Sequence, residues 1–274
     1  MKQTVLEEIH QEIVGLADCV IDICKRHGLT YYLAEGSLLG AIRHQGIIPW
    51  DDDFDLAMPR PDYEQLLMLL ETHLPDGYHA VFYQKQKSHL RYFVQIESDK
   101  IQVIEQGHHI PLKRNVWIDV FPLDGVPEGK CRQKAYVLRL LWLRMMIQCS
   151  QYEEIVDIKR KNRPFYERML MQIAMLVKPW RFMNPHHRMM KLDRFLNKYP
   201  YNDHDSVINP VSAYKQKAIM PKSYFGKGKL APFEDHLWSI PDQPDLILKQ
   251  LYGDYMKIPD DHEMESHHIR VVKE

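Results

Sequence analysis

TYYLAEGSLLGAIRHQGIIPWDDDFDLAMPR, residues 30–60, carries the pattern that decides the fold. Tyr31 to Ala34 is a short apolar run with the character of a buried strand. Gly36 and Ser37 follow as a small-residue turn, and Leu38 to Arg43 has helical spacing. A strand that turns into a helix N-terminus leaves backbone N–H groups unpaired and pointing outward, which suits a phosphate, and the Ser37 hydroxyl adds a donor. After a break at Gly46 to Pro49, the run WDDDFDLAM reads as a second strand, with Asp53 and Asp55 on one face and Phe54 and Leu56 on the other.

Two carboxylates about 7 Å apart on one strand face repel each other unless a cation lies between them. Magnesium fits best, with manganese as the alternative, because it takes oxygen ligands and keeps positions open for substrate phosphates. The apolar neighbours Ile47, Ile48, Trp50, Phe54 and Leu56 argue against a solvated acidic turn. A phosphate cradle with an Asp-x-Asp clamp is the equipment of a nucleotide-dependent transferase. Asp51 and Asp52 precede the clamp. One of them, Asp52 in our assignment, contacts substrate or supports the ligands, and the other is solvated.

EGSLLGAIRHQGIIPWDDDFDLAMPRPDYEQL resembles the LicD family of phosphotransferases, which includes bacterial phosphorylcholine transferases and is related to fukutin-type proteins. The resemblance implies a nucleotidyltransferase-type fold, whose hallmark is Gly-Ser followed at a distance by Asp-x-Asp. It extends through WIDVFPLDG (117–125), and the segment from 217 to 269, with its tail DDHEMESHHIR, is similar to the C-terminal signature of the family. The implied reaction moves a phospho-alcohol group from a CDP-activated small alcohol, CDP-choline foremost, to a hydroxyl of a cell-surface glycan or glycolipid precursor. The rival readings are a nucleotidyltransferase that releases pyrophosphate and a non-enzymatic, membrane-associated scaffold of the same fold. The second would be marked by lost metal ligands, and Asp53, Asp55 and Asp119 are all present.

Asp119 is the third candidate ligand. Val116, Ile118 and Val120 alternate with Trp117, Asp119 and Phe121, which sets a carboxylate on a strand face where burial is costly unless it is paired. The resemblance supports the same role, since the fold carries a third acid on a later strand. Asp124, beside Gly125, reads instead as a structural acid that caps a turn. Arg43 and His44 lie between cradle and clamp, where Arg43 could grip a phosphate bidentately. His267 and His268 enter as substrate contacts because the family signature ends in such a pair. Trp50, Trp117 and Tyr92 are candidates for an aromatic wall around a quaternary ammonium, with core packing as the alternative.

The 274 residues are enough for one large domain with a substantial core. Net charge is −1, which gives no bulk argument for nucleic-acid binding, yet residues 130–191 carry +10 and the remainder −11. The four cysteines form no CxxC pair or regular framework and read as reduced thiols. The N-terminal segment is amphipathic without an apolar signal core, so the expected location is cytoplasmic, with peripheral contact at the inner face of the membrane as an extension.

The fold class expected is α/β (α+β in layout), a mixed sheet with a helical insertion. The expected domains are a catalytic core at 1–129, a basic helical insertion at 130–200 and a C-terminal part at 201–274 that completes the core. Val5 to His27 has the spacing of a helix closed by Gly28. Tyr92 to Ile96 and Ile101 to Ile104 read as two strands paired around Ser98 to Lys100. Residues 131–150 and 165–183 read as apolar helices flanked by basic residues, suited to core packing or to an anionic membrane.

Overall fold

The computed structural model describes residues 2–87, 89–105, 112–151, 183–258 and 269–271, with 169 and 172. Helix α1 (Lys2–His27) forms over the apolar stripe read from the sequence and ends at Gly28, whose φ of 66° is a left-handed conformation that glycine adopts without strain. Strand β1 (Tyr32–Leu33) leads into α2 (Glu35–Arg43), β2 (Asp55–Pro59), α3 (Arg60–His73) and β3 (Tyr78–Val81). Helix α3 starts with Pro61 in its first turn, where a missing N–H costs nothing.

Two long strands form the middle of the sheet, β4 (Val94–Glu105) and β5 (Leu112–Val126). The expected pair of strands around Ser98 to Lys100 is instead one strand, β4. It pairs antiparallel with β5 along its length and absorbs the Ser98–Gln102 segment as a register shift. Helix α4 (Lys130–Ser150) and helix α5 (Pro185–Leu196) come next. They are followed by β6 (Ser206–Ile208), β7 (Ile219–Pro221), the hairpin β8 (Lys229–Phe233) and β9 (His236–Ile240), α6 (Pro244–Tyr252) and β10 (Ile269–Val271). Among the described residues the main sheet runs β1-β2-β5-β4-β10, with β3 also on β4 and β6 bridging the far end of β5 to β7. The β2–β5 pair is parallel and the other pairs are antiparallel, so the α/β class with a mixed sheet holds.

The sheet has two faces of opposite character. Val94, Ile96, Val116, Ile118, Val120, Leu56 and Met58 share one face and are nearly inaccessible. Helices α1 and α3 pack on these strands, and Ile13, Leu16, Val20 and Leu66 join the same core. The opposite face carries Gln95, Asp119 and Asp55 side by side, as the next subsection describes. A second core joins α4 and α5 to the far end of β5, through Val126, Tyr136, Leu140, Leu143, Met189, Leu192 and Leu196. No helix among the described residues is long and apolar enough to cross a membrane. Most of the 165–183 segment lies outside the described residues.

Candidate active site

Strand β2 begins at Asp55, one residue pair later than the sequence pattern suggests. Pairing sets this start: β1 meets β2 at Leu56 and Ala57, and β5 meets it from Asp55 onward. Asp53 therefore lies on the connection into the strand, not on a shared strand face with Asp55. The backbone holds this connection tightly. Ala34 N–H donates to the Asp55 carbonyl at 3.0 Å, and Asp119 N–H donates to the Phe54 carbonyl at 2.9 Å.

Asp55 and Asp119 are register partners on the adjacent parallel strands β2 and β5. Neighbouring strands lie about 4.8 Å apart, so the two carboxylates rise from adjacent backbones on one face. Gln95 is in turn the register partner of Asp119 on β4, and its Nε2 donates to Asp119 Oδ1 at 2.7 Å. Arg114 donates to Gln95 Oε1 and, at 3.1 Å, to Glu97 Oε1, which fixes the amide with its nitrogen toward Asp119. A row Asp55–Asp119–Gln95 thus crosses three strands, braced by an arginine beyond it.

Further acids crowd this row. Burial raises the pKa of Asp55 well above the carboxylate range, and the charges of Glu35, Asp119, Asp53 and Asp51 raise it further. Asp119 is pushed up to about 7, by burial first. The Gln95 hydrogen bond opposes that shift, Asp53 adds to it, and Arg91 and Arg114 counter it from the other side. Asp51, Asp52 and Asp53 each bring one ligand atom within 4.8 Å of the others. The structure thus places Asp53 in a second acidic grouping beside the Asp55–Asp119 pair, which the sequence had joined to it directly.

The donors are all carboxylate oxygens, a hard set that suits magnesium, manganese or calcium and not a thiolate-seeking metal. Several carboxylates whose ionised forms oppose one another are at ease together only when a cation sits among them. On both counts the residues fit a divalent ion.

The cradle is built differently from the sequence picture. Gly36 and Ser37 lie within the first turn of α2, whose preceding residue Ala34 offers no side-chain cap. Ser37 is buried, and its Oγ accepts the Asp55 N–H at 2.8 Å, tying the helix start to the acidic strand. A side-chain carbon on Gly36 would come to 3.0 Å from Asp51 Oδ2, so this glycine makes room for a carboxylate. Glu35 has φ 42°, an uncommon conformation for a residue with a side chain, at the point where strand turns into helix. Arg43 and His44 lie at the other end of α2, about 10 Å of helix away from Gly36. There Arg43 donates to the Tyr255 carbonyl at 3.0 Å and to His44 Nε2 at 2.9 Å. Asp52 is buried between Asp51 and Asp53. His267 and His268 lie outside the described residues.

Three aromatic candidates already carry cations from this chain. Arg43 sits 5.7 Å from the Trp50 ring centroid, Arg114 4.4 Å from Trp117, and Arg60 5.8 Å from Tyr92. Asp124 does not cap a turn but lies within β5. It forms a buried, two-pronged ion pair with Arg60.

Other site residues escaped the sequence reading. Asn209 Nδ2 donates to Glu35 Oε1 at 3.1 Å, and Ser212 also hydrogen-bonds to this carboxylate, partly offsetting the burial that raises its pKa. Arg144 of α4 donates to the carbonyls of Ser212 and Val211 at 2.8 and 3.0 Å, pinning the loop after β6. Tyr214 and Tyr252 meet edge to face, 5.2 Å between centroids, and both hydroxyls feel the charges of Glu35 and Asp55. Only Glu35, an acid beside Gly-Ser, and Gln95, a polar residue within an apolar strand, left a local trace in the sequence.

Comparison with known proteins identifies the family. The model of the family described as LicD/FKTN/FKRP, nucleotidyltransferase domain, matches residues 28–133, which span β1 through the start of α4. The lipopolysaccharide cholinephosphotransferase LicD of Haemophilus influenzae is 30% identical over 277 aligned positions, covering 98% of each chain. The chain belongs to the LicD family. Human ribitol 5-phosphate transferase FKRP is 51% identical over 39 residues, which is 14% of this chain and 8% of that protein. The LicD match with Haemophilus continues well beyond the family-model region, across the α4–α5 layer and the loop that reaches Glu35.

Proposed function

We propose that this LicD-family protein is a magnesium-dependent transferase that moves phosphocholine from CDP-choline to a hydroxyl of a lipopolysaccharide or related glycan. The observation that carries this reading is the in-register pair Asp55–Asp119, set among further acids in a chain similar over nearly its full length to a lipopolysaccharide cholinephosphotransferase. Asp53, Asp55 and Asp119 would hold the cation, with Asp51 and Asp52 adjoining. Magnesium, when bound, offsets the charge of the diphosphate and of the departing phosphate.

The acceptor hydroxyl oxygen attacks the phosphorus that bears choline. The bond from that phosphorus to the bridging oxygen breaks, and CMP leaves with the bonding pair. The acceptor proton passes to water, or to Asp119, held at Oδ1 by Gln95, in the alternative in which Asp53 and Asp55 hold the cation without it. Backbone N–H groups at the start of α2, around Gly36 and Ser37, would receive phosphate oxygens. Tyr214 and Tyr252, next to Glu35 and Asp55, offer ring faces and negative charge to a quaternary ammonium, a task for which Trp50, Trp117 and Tyr92 are already engaged.

The test is to incubate the protein with magnesium, a glycan acceptor and a panel of CDP-alcohols (choline, ethanolamine, ribitol, glycerol), and to follow CMP release. CDP-choline should give the fastest acceptor-dependent release. Pyrophosphate release from a nucleoside triphosphate, without CMP from any CDP-alcohol, would replace the proposal with nucleotidyl transfer.

A further inference from the structure

The solvent side of α4 is unusual for a helix in a water-soluble layer. Tyr136, Leu140, Leu143 and Ile147 face the second core. Leu138, Trp142 and Met145 face outward, exposed by 69, 51 and 41%. Their i, i+4, i+7 spacing puts them in one line along about 10 Å of helix. Three large apolar side chains in a row, one of them tryptophan, are costly to leave in water.

Cations flank the line. Helix α4 contains five basic residues and no acidic one, and only Arg144 turns inward, to the loop after β6. Arg132, Lys134 and Arg139 are exposed beside the stripe. Across a furrow that Arg139 shares with α5 stand Lys191, Arg194 and Lys198, also exposed. The acid of α5, Asp193, is turned to Arg60 and Tyr92, and Glu128, in an adjoining cleft lined also by Arg132, Arg139 and Lys198, faces His204. Among the described residues no carboxylate pairs with any of these six cations.

We infer that the α4–α5 face docks on an anionic lipid surface, with Leu138, Trp142 and Met145 entering the headgroup boundary and the furrow cations meeting lipid phosphates. An interfacial helix requires this combination, an apolar line with tryptophan bordered by Lys and Arg. Charge favours one orientation: the described residues of α4 and of α5 up to Lys191 carry seven Lys and Arg and no Asp or Glu, in a chain whose net charge is −1, so an anionic surface attracts this face. The proposal goes beyond phosphotransfer, since it concerns where the protein works and not what it transfers.

Flotation of the full chain with vesicles of equal parts phosphatidylglycerol and phosphatidylcholine tests it. At low salt the protein should float with these vesicles at least about tenfold more than with pure phosphatidylcholine, and less at physiological salt. Arg139→Glu with Lys191→Glu and Arg194→Glu should weaken binding by about fivefold or more per reversal. Leu138→Ser with Trp142→Ser and Met145→Ser should reduce it at least about tenfold while the far-UV circular dichroism is unchanged, because these side chains face solvent. Quenching of indole fluorescence by acyl-brominated lipid should vanish in Trp142→Phe. Asp55→Asn should float like the wild type, which separates docking from the transferase chemistry. Absence of flotation at low salt, or flotation that survives both triple variants, overturns the inference. Binding of soluble pyrophosphate without vesicle binding also overturns it, and would make the furrow a site for free phosphates.

Discussion

Replacing Asp55 or Asp119 by asparagine keeps the side-chain shape and removes one charge from a crowded acidic face, so two effects are expected together. Transfer should fall at least about a hundredfold, since a divalent site that loses an anionic ligand loses several kcal/mol of transition-state stabilisation. The rise in melting temperature on adding magnesium should shrink as well, because ligand-induced stabilisation follows the affinity of the native state. Turnover above a tenth of wild type at saturating magnesium would remove either residue from the cation site. A residue-scale prediction of another kind concerns His89. Burial lowers its pKa to about 4, Arg114 and Arg91 add to the effect, and its hydrogen bond to the Phe93 carbonyl at 3.0 Å only partly opposes it. The unfolded chain, with an ordinary histidine pKa near 6.5, then binds more protons than the folded one between about pH 6.5 and 4. Stability contributed by the neutral ring is complete above that window and is lost as pH falls through it. Thermal melts of His89→Gln against wild type across this range should show a flatter acid limb in the variant.

At the scale of elements, the active face is assembled from segments far apart in sequence. Asp119 was legible because it breaks an apolar alternation, and Asp55 because it belongs to a dense acidic run. Their register was not legible, since parallel pairing between strands some sixty residues apart leaves no local mark. The same holds for the loop after β6. Ile208 to Tyr214 reads as a strand in the sequence, yet β6 ends at Ile208, and Asn209 and Ser212 lie in a loop that Arg144 holds beside Glu35. Helix α4, in the region that the sequence marks as a helical insertion, holds this loop through Arg144. Arg144→Leu should leave two carbonyls without their donor and cost about 1–3 kcal/mol in denaturant unfolding. If the loop helps hold the donor of the proposed reaction, KM for that donor should rise more than kcat falls. Equal loss in both, or none, would confine Arg144 to a packing role.

For the whole molecule, the question is how two hydrophobic cores are kept in one arrangement. One core lies between the sheet and α1 and α3, the other among α4, α5 and the end of β5. Arg60 stands where they meet. Its guanidinium takes Asp124 of β5 at 2.8 Å through Nε and bonds again through Nη2, donates to the Tyr92 hydroxyl at 3.0 Å, and lies 3.6 Å from Asp193 of α5. The side chains of Arg60 and Asp124 are 9 and 2% exposed, so each charge depends on the other for its solvation. Arg60→Met should therefore leave Asp124 buried and uncompensated, and destabilise the protein by about 3–5 kcal/mol. Replacing both partners, as in Arg60→Met with Asp124→Leu, removes the stranded charge and should recover much of that loss, although Asp193 and Tyr92 still lose a partner. A double-mutant cycle by urea unfolding reads the coupling directly. If the network also holds α5 against the sheet, the single variant should unfold in two steps, with the α4–α5 layer released first. A single cooperative transition in Arg60→Met, with unchanged m-value, would show that apolar packing alone joins the two cores.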